Sequence, residues 1–149
     1  MRPVLLDYVA SLGHAVFENG QYNLNIIGIR NKNHKANCFD DRICVVFKDE
    51  NGWITRTWEC TTEPGTYWCY RDNNKDDVID AEPDSITEGM YGINIHKSGV
   101  HSTQVNNWSA GCQVFSTESD FEEFISICYA ARNKWGNSFT YTLIEEPEF

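Results

Sequence analysis

The sequence predicts an α+β domain, mainly β, whose strands pair antiparallel in a sandwich-like arrangement. Three observations lead there. Helix-spaced apolar residues occur near both ends of the chain, β-branched and aromatic runs separated by turn signals fill the middle, and no regular strand-helix alternation of the kind that builds parallel βαβ sheets is present.

Taken in order, Val4, Leu5, Tyr8, Val9, Leu12, Ala15 and Val16 follow Pro3 at helical spacing. They predict an N-terminal helix over about residues 3–18, with Gly20 as its stop. Tyr22 to Arg30 reads as a strand whose alternation switches near Gly28. Ile43 to Lys48 and Trp53 to Cys60 form two strand-like runs around Asp49-Glu50-Asn51-Gly52, an Asn-Gly hairpin signal. A turn at Glu63-Pro64-Gly65 leads to an extended Thr66 to Tyr70. Asp72, Asp76, Asp77, Asp80, Glu82 and Asp84 then crowd a surface excursion. Strands are expected at Met90 to His96 and Cys112 to Phe115. Ser119, with Glu122 three residues on, has the form of a capping box opening a helix through Phe121, Phe124, Ile125, Cys128, Ala131 and Trp135 to Gly136. Phe139, Tyr141 and Leu143 alternate in a last strand, and the five tryptophans are expected in the core or on sheet faces.

The 149 residues amount to a single domain, and 41% hydrophobic residues suffice for a core without disulfide or metal staples. A formal charge of −10 argues against nucleic acid, whose affinity for proteins comes mostly from Lys and Arg at phosphates. No apolar run approaches the roughly 20 residues of a membrane span. Asp7 interrupts what would be the apolar stretch of a signal peptide, so no export signal is expected. Cys38, Cys44, Cys60, Cys69 and Cys128 are therefore read as reduced, buried thiols. His14 and His34 are read as surface residues. The acidic stretch departs from a calcium loop at Asp77, where Gly is needed, and at Pro83, where Glu is needed.

The chemistry concentrates in Tyr91-Gly92-Ile93-Asn94-Ile95-His96-Lys97-Ser98-Gly99 and in Trp108-Ser109-Ala110-Gly111-Cys112-Gln113. An ordinary thiol is only a few per cent thiolate at neutral pH, so a nucleophilic cysteine needs an imidazole within hydrogen-bond reach. Cys112 is the candidate nucleophile and His96 the candidate base, with His101 as a second candidate. The small residues before Cys112 let main chain approach a substrate, and N–H groups around Gly111 and Cys112 are placed to stabilise an oxyanion. Trp108, Ser109, Ala110, Gln113 and His101 are the expected substrate contacts. A metal held by His96, His101 and Cys112 would fit no usual spacing, so neither a metal nor another cofactor is expected.

Ile93-Asn94-Ile95-His96, followed sixteen positions on by Cys112 within Ser109-x-Gly111-Cys112, resembles the catalytic signature of the L,D-transpeptidase (YkuD-type) family. Val45 to Thr61 and Glu63-Pro64-Gly65-Thr66-Tyr67 resemble that family's early hairpin and Pro-Gly turn. The resemblance implies a mainly β catalytic domain, with a helix after the cysteine, that forms a thioester with peptidoglycan stem peptides. It also implies that the main-chain carbonyl of Lys97 is the third catalytic member. Ala110 stands where the family usually has a second histidine, and Val114 where an Arg is frequent.

Hydrolysis by a phage-type lysis enzyme is favoured over cross-link transfer, and a non-catalytic wall-binding or virion β module is the reading from another class. The expected chain is a monomer made in the cytoplasm that acts at the bacterial cell wall after release. The acidic stretch is expected to favour cationic substrate groups near the site. In papain-like and NlpC/P60-like enzymes the histidine follows the cysteine, and no histidine follows Cys112.

Overall fold

The computed structural model describes residues 1–32, 38–62, 95–98 and 113–147. The first helix, α1 (Val4–Ser11), enters from an extended Pro3 and buries Leu6 and Val9. It stops at Ser11 rather than running towards residue 18. Gly13 takes a φ of +85°. Its N–H donates to Ala10 O at 3.0 Å and that of His14 to Val9 O at 3.3 Å, the paired bonds that close a helix C-terminus. Beyond the turn, Asn25 holds Phe17 in a non-helical conformation. Phe17 N–H donates to Asn25 Oδ1 at 2.8 Å, and Asn25 Nδ2 donates to Phe17 O at 2.9 Å.

Strand β1 (Asn25–Arg30) starts three residues later than the sequence predicts, because Tyr22 sits in the left-handed region at φ +55°. The Tyr22 ring instead lies against Phe47, with centroids 5.1 Å apart. β2 (Asp41–Asp49) and β3 (Gly52–Thr62) form the expected hairpin, with Asp49 paired to Gly52. Positive φ falls on Gly52 and not on Asn51, whose N–H is held by Asp49 Oδ1 at 2.7 Å.

The remaining strands are β4 (Ile95–Lys97), β5 (Gln113–Phe115) and β6 (Tyr141–Glu145). Together the six make one sheet in the order β4-β5-β3-β2-β1-β6. β1, β2, β3 and β5 pair antiparallel, as expected, while β4 joins β5 and β6 joins β1 in parallel, so the sheet is mixed. The protein is thus α+β and mainly β. The parallel β6 follows from the long return made by α2 (Glu118–Trp135), which leads from β5 to β6 at the far edge.

Each face of the sheet carries its own core. Leu6 and Val9 of α1 pack with Ile27, Ile29, Cys44, Val46 and Ile144 on one side. On the other, Phe124 and Ala131 of α2 pack with Ile26, Ile43, Val45, Trp58 and Phe115. β1 therefore reads as a nearly continuous apolar run because both of its faces are covered. Gly28 leaves room for the Tyr141 ring, since a Cβ there would collide with the hydroxyl oxygen.

The cap of α2 is Thr117, two residues before the expected Ser119. Thr117 is extended, and its Oγ1 accepts the N–H of Asp120 at 3.3 Å. Gly136 ends the helix as expected, at φ +92°. Trp58 is buried, whereas Trp135 is 52% exposed, its indole N–H donating to Gln21 O at 2.9 Å. The expected strand at Thr66 to Tyr70 and the acidic stretch lie outside the described residues, as does Met90 to Asn94 of the strand that ends in β4.

Phe115 is fully buried among Trp58, Phe121 and Phe124, with ring centroids 5.1–5.8 Å away. Truncating such a ring removes its transfer free energy and leaves a cavity. Phe115→Ala is expected to lower unfolding free energy by about 3–5 kcal/mol in a denaturant titration. A loss below about 1 kcal/mol would show that the ring does not tie β5 to α2.

Candidate functional site

All three residues of β5 are buried, with Val114 and Phe115 at 0% exposure. On one side β5 pairs with β3 through Cys60–Phe115, Thr61–Val114 and Thr62–Gln113. On the other it carries β4 through Ile95–Gln113, His96–Val114 and Lys97–Phe115. β4, at one edge of the sheet among the described residues, rests on a rail that is itself sealed into the core.

Register and strand alternation decide which way each side chain faces. Phe115 belongs to the core under α2, so Gln113 and Ile95 share that face, while Val114 and His96 take the opposite one. Gln113, expected to touch substrate, is only 2% exposed and lies on the face away from His96. His96 is half-buried.

The His96 ring has a defined partner: its Nδ1 lies 3.0 Å from the carbonyl oxygen of Lys97. A carbonyl can only accept, so Nδ1 carries the proton in this bond. In the neutral ring Nε2 is then left with its lone pair, as a general base requires. The Lys97 ammonium forms an ion pair with Glu118 in the first turn of α2. Both groups are partly exposed, so the pair orients more than it stabilises.

Nothing in the sequence pattern singles out Ser98, yet it is 3% exposed and bonded both to β5 and to the residue just after it. Its N–H donates to Phe115 O and its Oγ to Ser116 O, both at 3.0 Å. The only sequence signal is a small hydroxyl two places after the histidine.

Cys112, Gly111, Ala110, Ser109, Trp108 and His101 lie outside the described residues. The other thiols can be compared. Burial raises the pKa of Cys44 and Cys60 and pushes Cys128 up to about 11. Such thiols stay protonated at neutral pH and are poor nucleophiles. Burial likewise raises Tyr141, whose hydroxyl has no hydrogen-bond partner among the described residues. Among those residues, no group of three or more His, Cys, Asp or Glu is placed to hold a metal ion. No helix among them is long and apolar enough to cross a membrane.

These shifts have one sign. Below pH 9 both folded and unfolded chains keep the protons, and the full stability is present. Above it the unfolded chain releases protons that the folded one still holds, so stability falls. The melting temperature is expected to stay level up to about pH 8 and to drop as pH passes from 9 towards 11, less steeply in Cys128→Ala. A level melting temperature across that range would contradict the burial of these groups.

Comparison with family models, with curated proteins and with solved structures finds no match to this chain.

Proposed function

We propose that the protein is a cysteine-dependent enzyme with a sandwich-type, L,D-transpeptidase-like domain that cleaves an amide in bacterial wall stem peptides through a Cys112 thioester. The observation that carries this reading is the 3.0 Å bond from His96 Nδ1 to Lys97 O, on a strand paired to the segment that directly follows Cys112. His96 is opposite Val114, and Cys112 stands two residues before Val114. The covalent chain keeps the Cα atoms of Cys112 and Val114 within about 7.6 Å of each other. The sixteen positions between His96 and Cys112 in the sequence are thus spanned in part by the pairing of β4 with β5.

In this reading His96 Nε2 takes the thiol proton and the thiolate sulfur attacks the amide carbon. The carbonyl electron pair moves onto oxygen, where main-chain N–H groups around Gly111 and Cys112 receive it. Collapse of the oxyanion expels the amine, which takes the proton from His96 and leaves a thioester. Water then attacks with His96 again as base, releasing a carboxylate and the free thiol. An amine in place of water would give transfer instead. Hydrolysis is favoured because the sequence lacks the second histidine and the Arg of the resembled motif, standing as Ala110 and Val114. The wall after release remains the proposed place of action, with stem peptides as the substrate.

Purified muropeptides incubated with the protein, with and without an acceptor amine, test the proposal by mass spectrometry. Products heavier in sum than the substrate by one water are expected, and Cys112→Ser or His96→Ala is expected to slow their formation by at least ~100-fold. Amine adducts formed in preference to hydrolysis would replace the hydrolase with a transferase. Absence of any thiol-dependent product would leave the non-catalytic wall-binding module.

A further inference from the structure

We infer that Ser98 is a positioning residue that sets the proton position on His96 by fixing the Lys97 carbonyl; its consequence for turnover rests on the amide-cleaving reading above. Lys97 C=O and Ser98 N–H belong to one planar peptide unit, which is trans like every described peptide. In a trans peptide these two groups point in opposite directions. The Ser98 N–H donates to Phe115 O at 3.0 Å, so the Lys97 oxygen is turned away from β5. There His96 Nδ1 meets it at 3.0 Å.

A single bond would let this peptide rock about the strand axis. Ser98 Oγ adds a second tie to the next carbonyl along, Ser116 O, at 3.0 Å. The acceptors are firm: Phe115 is fully buried, and the Ser116 N–H donates to Glu59 O of β3 at 3.2 Å. The ion pair of Lys97 with Glu118 holds the same residue from its side chain. A carbonyl fixed in this way selects the Nδ1–H form of the ring, whereas a histidine free in water favours the proton on Nε2. In this role Ser98 acts through the peptide it anchors.

Nitrogen-15 NMR of the full chain at a pH where the ring is neutral reads the tautomer without any substrate. Wild type is expected to show His96 protonated on Nδ1. Ser98→Ala is expected to move the population towards Nε2–H and to lower kcat on muropeptides about tenfold with KM unchanged, a fraction of what a general base supplies. Ser98→Thr, which keeps the hydroxyl, is expected to restore both. An unchanged tautomer in Ser98→Ala, or no recovery in Ser98→Thr, would overturn the inference. Hydrogen exchange at the Ser98 amide of the wild type is expected to be slow, and unprotected exchange would overturn it without recourse to any variant. A tautomer change in a protein that does not turn over muropeptides would uphold the role of Ser98 and remove the amide-cleaving reading.

Discussion

The short parallel ladder between β4 and β5 is the constraint on which the rest depends. Three register pairs hold β4 to its neighbour, and one of them sets His96 beside Val114. Such a ladder is weak alone, since a short edge strand gains little from its own hydrogen bonds. It holds because β5 is buried end to end and because Phe115 binds it to Trp58 of β3 and to Phe121 and Phe124 of α2. Packing energy gathered in the core under α2 is thus used at the opposite face, where the imidazole stands.

Among the described residues β4 lies at one edge of the sheet. A strand inside a sheet spends its carbonyls on two neighbours, while an edge strand keeps one side open. The Lys97 carbonyl, turned away from β5, serves the His96 ring. A main-chain oxygen held by the sheet orients the imidazole, as the proposed reaction would require of its base. The three thiols raised by burial show the opposite environment, in which the fold keeps sulfur protonated and inert.

Much of the fold was legible in the sequence. Turn chemistry and β-branched runs disclosed the β2–β3 hairpin, and apolar spacing up to Gly136 disclosed α2. What escaped has physical causes. The first helix ended early because Gly13 closes it and Asn25 pins Phe17, a contact between residues eight positions apart that periodicity does not register. Tyr22 left its expected strand for a left-handed turn that lets its ring reach Phe47. Thr117 capped α2 because Ser116 is still bonded to β3, so the helix begins directly where the strand lets go. At the site, His96 and Lys97 stood out by motif. Ser98 did not, because its importance comes from two acceptors distant in sequence, Phe115 O in β5 and Ser116 O just after it.

The central claim is that the imidazole of His96 draws the proton from the sulfur of Cys112. Timed alkylation at neutral pH, with each cysteine followed by peptide mass, measures this most directly. The account predicts that Cys112 reacts first among the six cysteines and slows markedly in His96→Ala, while Cys44, Cys60 and Cys128 remain unmodified in the folded chain. Equal, slow modification of Cys112 in both proteins would contradict it.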